Sequence, residues 1–324
     1  MIFQTKLTRL AAFTLVPALA AGFDEIPDGI QVLAVSRGSL PAVFSRLRAS
    51  QRIAFFGWVE LAFTDRDDPR LLAILMLVYA AVALIGMSLY GIEAWTRNAD
   101  PFGVYFSMFA RLSPITASEG VVYARPVLSG APPLDVGHGT VAVLCTMIGT
   151  TMFDGFSQGS LWTSIAPDLQ SVFQDIGLGP EASLEGASTV GLIVVILFVG
   201  TLFRLGIRGM VGVGEGHTAL ELRRTFAHTL IPIAAAYVLA HYFSLLVFSG
   251  QSMFYLVSDP LGTGANLLGT ADYVIDYNVV SPTAVWYVQV GVLVLGHVAG
   301  LVLAHDRALA VYRSGRRATR SQYW

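Results

Sequence analysis

Long apolar runs without charged residues constrain this chain more than any other feature. Residues 71–92, 226–249 and 283–304 contain no Asp, Glu, Lys or Arg. A run of about 20 apolar residues lets a helix cross a bilayer. Over the whole chain only 13% of residues are charged, whereas soluble domains carry about 25%. Because backbone polar groups inside lipid must bond within the protein, these runs predict an all-α polytopic transmembrane helical bundle, with the lipid bilayer as its main partner.

Three weaker runs complete a prediction of six membrane spans. They are residues 189–205, 138–153 and 53–63, and the last is short and contains Glu60. We predict that residues 1–52 form an N-terminal apolar segment and a cytoplasmic linker. Residues 53–306 then form the transmembrane helical domain, and residues 307–324 form a basic cytoplasmic tail. Residues 102–112, between Pro101 and Pro114, predict a short interfacial or re-entrant helix.

The distribution of arginine predicts the orientation of the chain. Lys and Arg are enriched in cytoplasmic loops of membrane proteins, so the arginine-rich link between the fourth and fifth spans and the arginine-rich tail predict a cytoplasmic C-terminus. The net charge of −2 argues against a nucleic-acid interface. The single cysteine, Cys145, excludes an internal disulfide. The composition leaves homo-oligomerisation and partner membrane proteins open.

Four of the six histidines lie on the last two apolar runs or directly after them. His228 and His241 lie on one run, His297 lies on the other, and His305 and Asp306 directly follow that second run. Ionisable groups inside a span are costly and mark functional sites by default. The antiparallel arrangement of these spans predicts an interior pair, His241 with His297, and a cytoplasmic-end cluster of the other three residues.

Several chemistries fit these histidines, and the sequence leaves them open. Histidine with carboxylate suits a divalent transition metal, two axial histidines suit haem, and histidine with aspartate suits a proton relay. The structural alternative is that each ring bonds a carbonyl or hydroxyl group of a neighbouring helix. We therefore regard His241, His297, His228, His305 and Asp306 as candidate metal ligands, with the identity of any cofactor unknown.

Asp154 is the candidate acidic group nearest to the outer membrane boundary. It opens the motif Asp-Gly-Phe-Ser-Gln-Gly, residues 154–159, which contains a G-x-S-x-G pattern. The nucleophile elbow of a serine hydrolase needs a strand before this pattern and a helix after it, and an apolar segment precedes it here. We predict that Asp154 completes a metal site or acts as a catalytic base.

The chain resembles bacterial membrane proteins labelled fenitrothion hydrolase. The segments that carry the resemblance include PFGVYFSMFARLSPI, FDGFSQGSLW and GHVAGLVLAHDRALAVY. The resemblance covers Asp67 to the C-terminus, and it implies a helical inner-membrane protein that is shortened at both ends. It also implies hydrolysis of an organophosphate ester, with metal-activated water attacking phosphorus. The alternative is a non-enzymatic membrane subunit that binds or conducts a metal ion, haem or protons.

Overall fold

The computed structural model describes residues 46–118, 120–137 and 139–323, and nearly all of this part is helical. The predicted N-terminal apolar segment therefore lies outside the described residues except for its last residues. The first half contains α1 (Arg46–Leu61), α2 (Pro69–Tyr90), α3 (Ile92–Asn98), α4 (Pro101–Ala110) and a hairpin of β1 (Ile115–Ser118) with β2 (Val121–Ala124). The second half contains α5 (Thr140–Ser157), α6 (Ser160–Asp175), α7 (Pro180–Val211), α8 (Ala219–Phe226), α9 (Leu230–Phe248), α10 (Met253–Ser258), α11 (Pro282–Val311) and α12 (Gly315–Ser321). Short 3-10 turns at Ala227–Thr229 and Ser249–Ser252 link α8, α9 and α10.

Among the residues that the structure describes, five helical segments are long and apolar enough to cross a membrane, which confirms the predicted all-α polytopic class. They are Pro69–Tyr90, Thr140–Ser157, Pro180–Val211, Ala219–Ser258 and Pro282–Val311. The predicted span at 53–63 belongs to α1, which begins at Arg46 and has 16 residues. Although short, α1 packs inside the bundle, where the Trp58 indole donates a hydrogen bond of 2.7 Å to the Thr189 hydroxyl of α7.

Helices α9 and α11 form the most closely packed antiparallel pair, and two glycines explain how. A Cβ atom added to Gly296 would lie 2.2 Å from Ala236 Cβ and 2.9 Å from the Pro232 carbonyl. A Cβ added to Gly300 would lie 2.9 Å from the Thr229 carbonyl. Small residues let membrane helices approach closely where no hydrophobic force drives them together. Helices α9 and α11 therefore approach each other closely beside Gly296 and Gly300.

One end of the bundle, which we call the basic end, collects the termini of several helices. Arg111, just after α4, donates a hydrogen bond of 2.9 Å to the Pro133 carbonyl, and Arg307 of α11 donates one of 3.1 Å to the Pro132 carbonyl. Arg125 donates 2.8 Å to the Ala110 carbonyl. These three arginines bind backbone carbonyls of one loop and of the last turn of α4. The end of α4, the start of α5 and the end of α11 therefore lie together.

Helices α3 and α4 form a helical hairpin that packs against α2. The Trp95 ring of α3 stacks on Tyr90 at the end of α2, while Asp100, after α3, reaches Tyr79 in the middle of α2. Helix α4 then returns to the basic end. Its residues Val104 and Met108 are buried in the main core, with relative exposures of 1% and 3%. The predicted short helix at residues 102–112 is therefore present, and it packs partly inside the bundle.

The C-terminal segment packs back on the bundle. The Tyr312 hydroxyl donates 3.0 Å to the Met210 carbonyl near the end of α7. Glu215, in the loop after α7, accepts hydrogen bonds from the Arg313 backbone N–H and from the Arg317 guanidinium. The segment predicted as a basic tail from residue 307 therefore starts within α11 and ends in the docked helix α12.

Candidate functional site

The structure brings Asp154 of α5 and His241 of α9 into direct contact. The Asp154 carboxylate Oδ2 lies 2.9 Å from the His241 Nδ1, and the two side chains are 31% and 21% exposed. These residues are 87 positions apart (241 − 154 = 87), so only the packing of α5 against α9 joins them. The candidate acid and one of the candidate histidines therefore form one site.

The depth of this pair follows from the position of His241 along α9. Helix α9 ends at Phe248, seven residues after His241 (248 − 241 = 7), which corresponds to ~10 Å of helix. The neighbouring helix α11 gives a similar depth. Its Gln289, seven residues after the start at Pro282 (289 − 282 = 7), donates a hydrogen bond of 3.0 Å to the carbonyl of Ala240. Asp154 lies in α5, a helix long enough to span, three residues before its end at Ser157 (157 − 154 = 3).

The contact determines which histidine nitrogen can do chemistry. Nδ1 faces the carboxylate, so the tautomer that carries hydrogen on Nδ1 donates to Asp154. Any proton, metal ion or substrate handled by His241 would then be handled at Nε2. The Tyr242 ring lies edge-on to the imidazole, with 4.4 Å between ring centroids, and helps to hold its orientation.

His297 does not join His241, so the predicted interior pair is not formed. Its Nδ1 lies 2.7 Å from the Leu293 carbonyl of its own helix, and the residue is exposed. Gly296 packs between Pro232 and Ala236 of α9, so His297 lies level with about residue 233. That level is eight residues (241 − 233 = 8), or ~12 Å along the helix, closer to the start of α9 than His241 is. The antiparallel register, which the sequence does not specify, causes this separation. A haem held between these two rings is therefore not supported.

The predicted cluster at the other end is also dispersed. His228 is buried with a relative exposure of 2%, and its Nε2 has no hydrogen-bond partner among the residues described. The His305 ring Nδ1 lies 2.9 Å from the Gln322 side-chain oxygen, and Asp306 is exposed. Within residues 46–323, apart from 119 and 138, no group of three or more His, Cys, Asp or Glu could hold a metal ion.

Ser157 is not a nucleophile elbow. It lies in the last turn of α5, and its hydroxyl donates 2.8 Å to the Asp154 backbone carbonyl. A helical residue without a preceding strand lacks the strained turn that exposes a catalytic serine. The G-x-S-x-G pattern therefore reflects the end of a helix.

Sequence reasoning missed a second polar cluster at the tip of the α3–α4 hairpin. There the Tyr79 hydroxyl donates 2.5 Å to Asp100 Oδ1, and the Gly103 N–H donates 2.7 Å to Asp100 Oδ2. Arg52 of α1 donates 2.6 Å to the Ala99 carbonyl. The Asp-Pro pair at 100–101 is a helix-start signal, but it does not show that this helix start lies inside the bundle.

Comparison of the chain with models of protein families, with curated proteins and with solved structures gives no match. The resemblance to fenitrothion hydrolase therefore stays a prediction. The Asp154–His241 contact is the observation from which a function has to be argued.

Proposed function

We propose that this chain is a bacterial inner-membrane protein that transfers protons through the Asp154–His241 pair. The observation that carries the proposal is the 2.9 Å contact between the carboxylate and the imidazole within segments long enough to span a bilayer. Histidine changes its charge near neutral pH more readily than any other side chain. Carboxylates and histidines inside spans form the proton relays of pumps and transporters.

The pair can pass a proton with balanced charges. Neutral His241 accepts a proton at Nε2 and becomes an imidazolium, which the adjacent Asp154 carboxylate stabilises. Loss of a proton from the imidazolium returns the pair to its first state. Partial exposure of both side chains leaves room for a donor or acceptor to approach. One carboxylate and one imidazole suffice for this step.

Metal-dependent hydrolysis, which the resemblance implies, fits the described residues less well. A catalytic zinc site uses three protein ligands and an open position, whereas Asp154 and His241 supply two groups in the described part of the chain. Hydrolysis remains the second candidate, because a carboxylate on Nδ1 is also the arrangement that orients a histidine base.

The proposed orientation places the basic end in the cytoplasm. Arg111, Arg125 and Arg307 lie at this end, and cytoplasmic loops are enriched in Lys and Arg. The C-terminal helix α12 would then also lie in the cytoplasm. A reporter fused after Trp324 that is active only in the periplasm should be inactive, and activity of that reporter would reverse this orientation.

The test is proton flux into proteoliposomes that contain a pH-sensitive dye and experience an imposed pH gradient. The wild-type protein should carry flux, and Asp154→Asn and His241→Gln should each abolish it. The matched control is His297→Gln, a histidine on the neighbouring span that should keep wild-type flux. Equal flux in the two His→Gln variants would refute the role of His241.

The hydrolase candidate has its own test. Purified protein would be incubated with an aryl phosphotriester, with and without a chelator. Hydrolysis that requires Asp154 and disappears with the chelator would favour the second candidate. Flux without hydrolysis would favour the first.

A further inference from the structure

The tip of the α3–α4 hairpin places a carboxylate deep in the bundle. Asp100 has a relative exposure of 8% and caps the start of α4. Its partner Tyr79 lies 11 residues before the end of α2 at Tyr90 (90 − 79 = 11), or ~16 Å from that end. Asp100 is therefore near the middle of a membrane-length helix. An ionisable group at such a depth is costly and marks a functional site by default.

Ionisable groups from two neighbouring helices face Asp100. Tyr79 of α2 donates to its Oδ1, and Arg52 of α1 lies beside it and caps α3 through the Ala99 carbonyl. Within the hairpin itself, Arg97 turns away and pairs with Glu93, 3.6 Å from its carboxylate. At the tip of the hairpin, polar side chains therefore cap both the end of α3 and the start of α4. Transporters place their ion and substrate sites at such interruptions.

A cavity of about 50 Å³ adjoins this cluster, and Arg52, Tyr79 and Asp100 are among the residues that line it. A buried water molecule needs roughly 10–15 Å³ of such space and two to four polar partners. The cavity exceeds this volume, and polar side chains border it, although most of its exposed lining is apolar. A water molecule therefore fits beside the Asp100 cluster, and water is the simplest proton donor and acceptor.

Helix α1 separates this tip from the Asp154–His241 pair. The Phe56 ring of α1 lies 4.8 Å from the Phe102 ring at the hairpin tip. The next residue, Gly57, packs against Thr150 of α5, which is four residues or ~6 Å along the helix from Asp154. The two carboxylates therefore lie beside different faces of α1, about 100° apart around its axis, and Asp154 is about one helical turn farther from the basic end than Thr150.

We propose that Asp100 is a second proton-binding carboxylate, which works in series with the Asp154–His241 pair. A hydronium ion in the cavity gives its proton to an Asp100 oxygen. This forms one O–H bond, converts the carboxylate into a neutral carboxylic acid and leaves a water molecule. The reverse step returns the proton. The role of this site in transport rests on the proposed function, but proton binding by Asp100 does not.

The test is infrared difference spectroscopy of the purified protein between alkaline and acidic buffer. Wild type should gain a carbonyl band of a buried carboxylic acid on acidification, and Asp100→Asn should lose that band. Asp272→Asn, which alters an exposed loop carboxylate, is the matched control and should keep it. Persistence of every carboxylic-acid band in folded Asp100→Asn would overturn the proposal.

Two further variants keep the result decisive. Tyr79→Phe should shift the Asp100 band to higher frequency, because the carbonyl loses a hydrogen bond. This variant tests whether the band belongs to Asp100 even if Asp100→Asn does not fold. An unshifted band would overturn the proposal. Asp154→Asn should abolish flux yet keep the Asp100 band, whereas loss of both would mean that the two sites are one. If wild type carries no flux, the proposed function fails while the band still tests Asp100.

Discussion

The close contact at Gly296 leads to a sharp prediction about how α9 and α11 are held together. In Gly296→Ala the new methyl group would lie 2.2 Å from Ala236 Cβ, whereas carbon atoms in contact prefer about 3.5–4.0 Å. The two helices would have to separate by more than about 1 Å at this level (3.5 − 2.2 = 1.3). Overpacking of this kind costs ~1–3 kcal/mol, and the Gln289 bond to the Ala240 carbonyl would be strained as well.

The matched control lies on the same helix. A Cβ added to Gly291 meets nothing within 4 Å, so Gly291→Ala keeps the packing and should gain up to about 1 kcal/mol from helix propensity. Comparison of the two variants removes the propensity term from the result. The assay is reversible unfolding of the purified protein in mixed detergent micelles. We expect Gly296→Ala to be less stable than Gly291→Ala by ~1–3 kcal/mol.

A compensating substitution separates this explanation from general damage. Ala236→Gly removes the closer of the two atoms that the new methyl group meets and leaves the Pro232 carbonyl, so the double variant Ala236→Gly/Gly296→Ala should recover part of the lost stability. Residues in contact couple by about 0.5–3 kcal/mol in such cycles. Additive effects of the two substitutions, or a Gly296→Ala variant as stable as Gly291→Ala, would refute the reasoning.

Two further predictions concern single contacts. The Arg313 backbone N–H, followed by the Arg317 side chain, lowers the pKa of Glu215 below its ordinary value of 4.5. The docking of α12 should therefore be complete above that pH and weaken as the pH falls through the lowered value. Proteolysis of the C-terminal segment should therefore accelerate as the pH falls through the lowered pKa of Glu215. In the Glu215→Gln variant this segment should be cleaved rapidly at neutral pH as well. A wild-type cleavage rate that does not change with pH would contradict this prediction. Trp58→Phe removes the bond to Thr189 and should destabilise the protein by ~1 kcal/mol, with no added effect of Thr189→Val in the double variant.

Much of the helical framework was predictable because bilayer thickness sets a minimum length for a membrane-spanning apolar run. The run at 71–92 matches α2 to within two residues at each end, and the run at 283–304 starts with α11, which continues for seven more residues (311 − 304 = 7). The 53–63 segment was harder, since α1 has only 16 residues and is stabilised by packing rather than by lipid. The short helix predicted at residues 102–112 is present, but the burial of Val104 and Met108 in the core depends on neighbouring helices.

The site was predictable only in part. Asp154 and His241 could be selected individually, because carboxylates and imidazoles are rare and costly inside apolar segments. Their contact could not be predicted, since it depends on the rotation of α5 relative to α9. The expected pairing of His241 with His297 was wrong for a related reason. Helical periodicity gives the face of one helix, but the offset between two helices follows from packing at Gly296 and Gly300.

The sequence by itself determined the helical membrane class of this protein and the position of its longest apolar helices. Hydrophobicity and length are properties of a segment alone, so they can be read without knowledge of its neighbours. Only the tertiary structure decided that Asp154 meets His241, that His297 bonds within its own helix, and that Asp100 lies at the tip of the α3–α4 hairpin. These features depend on which helix faces share an interface and at what offset, and that is settled by the close packing of small side chains from distant parts of the chain.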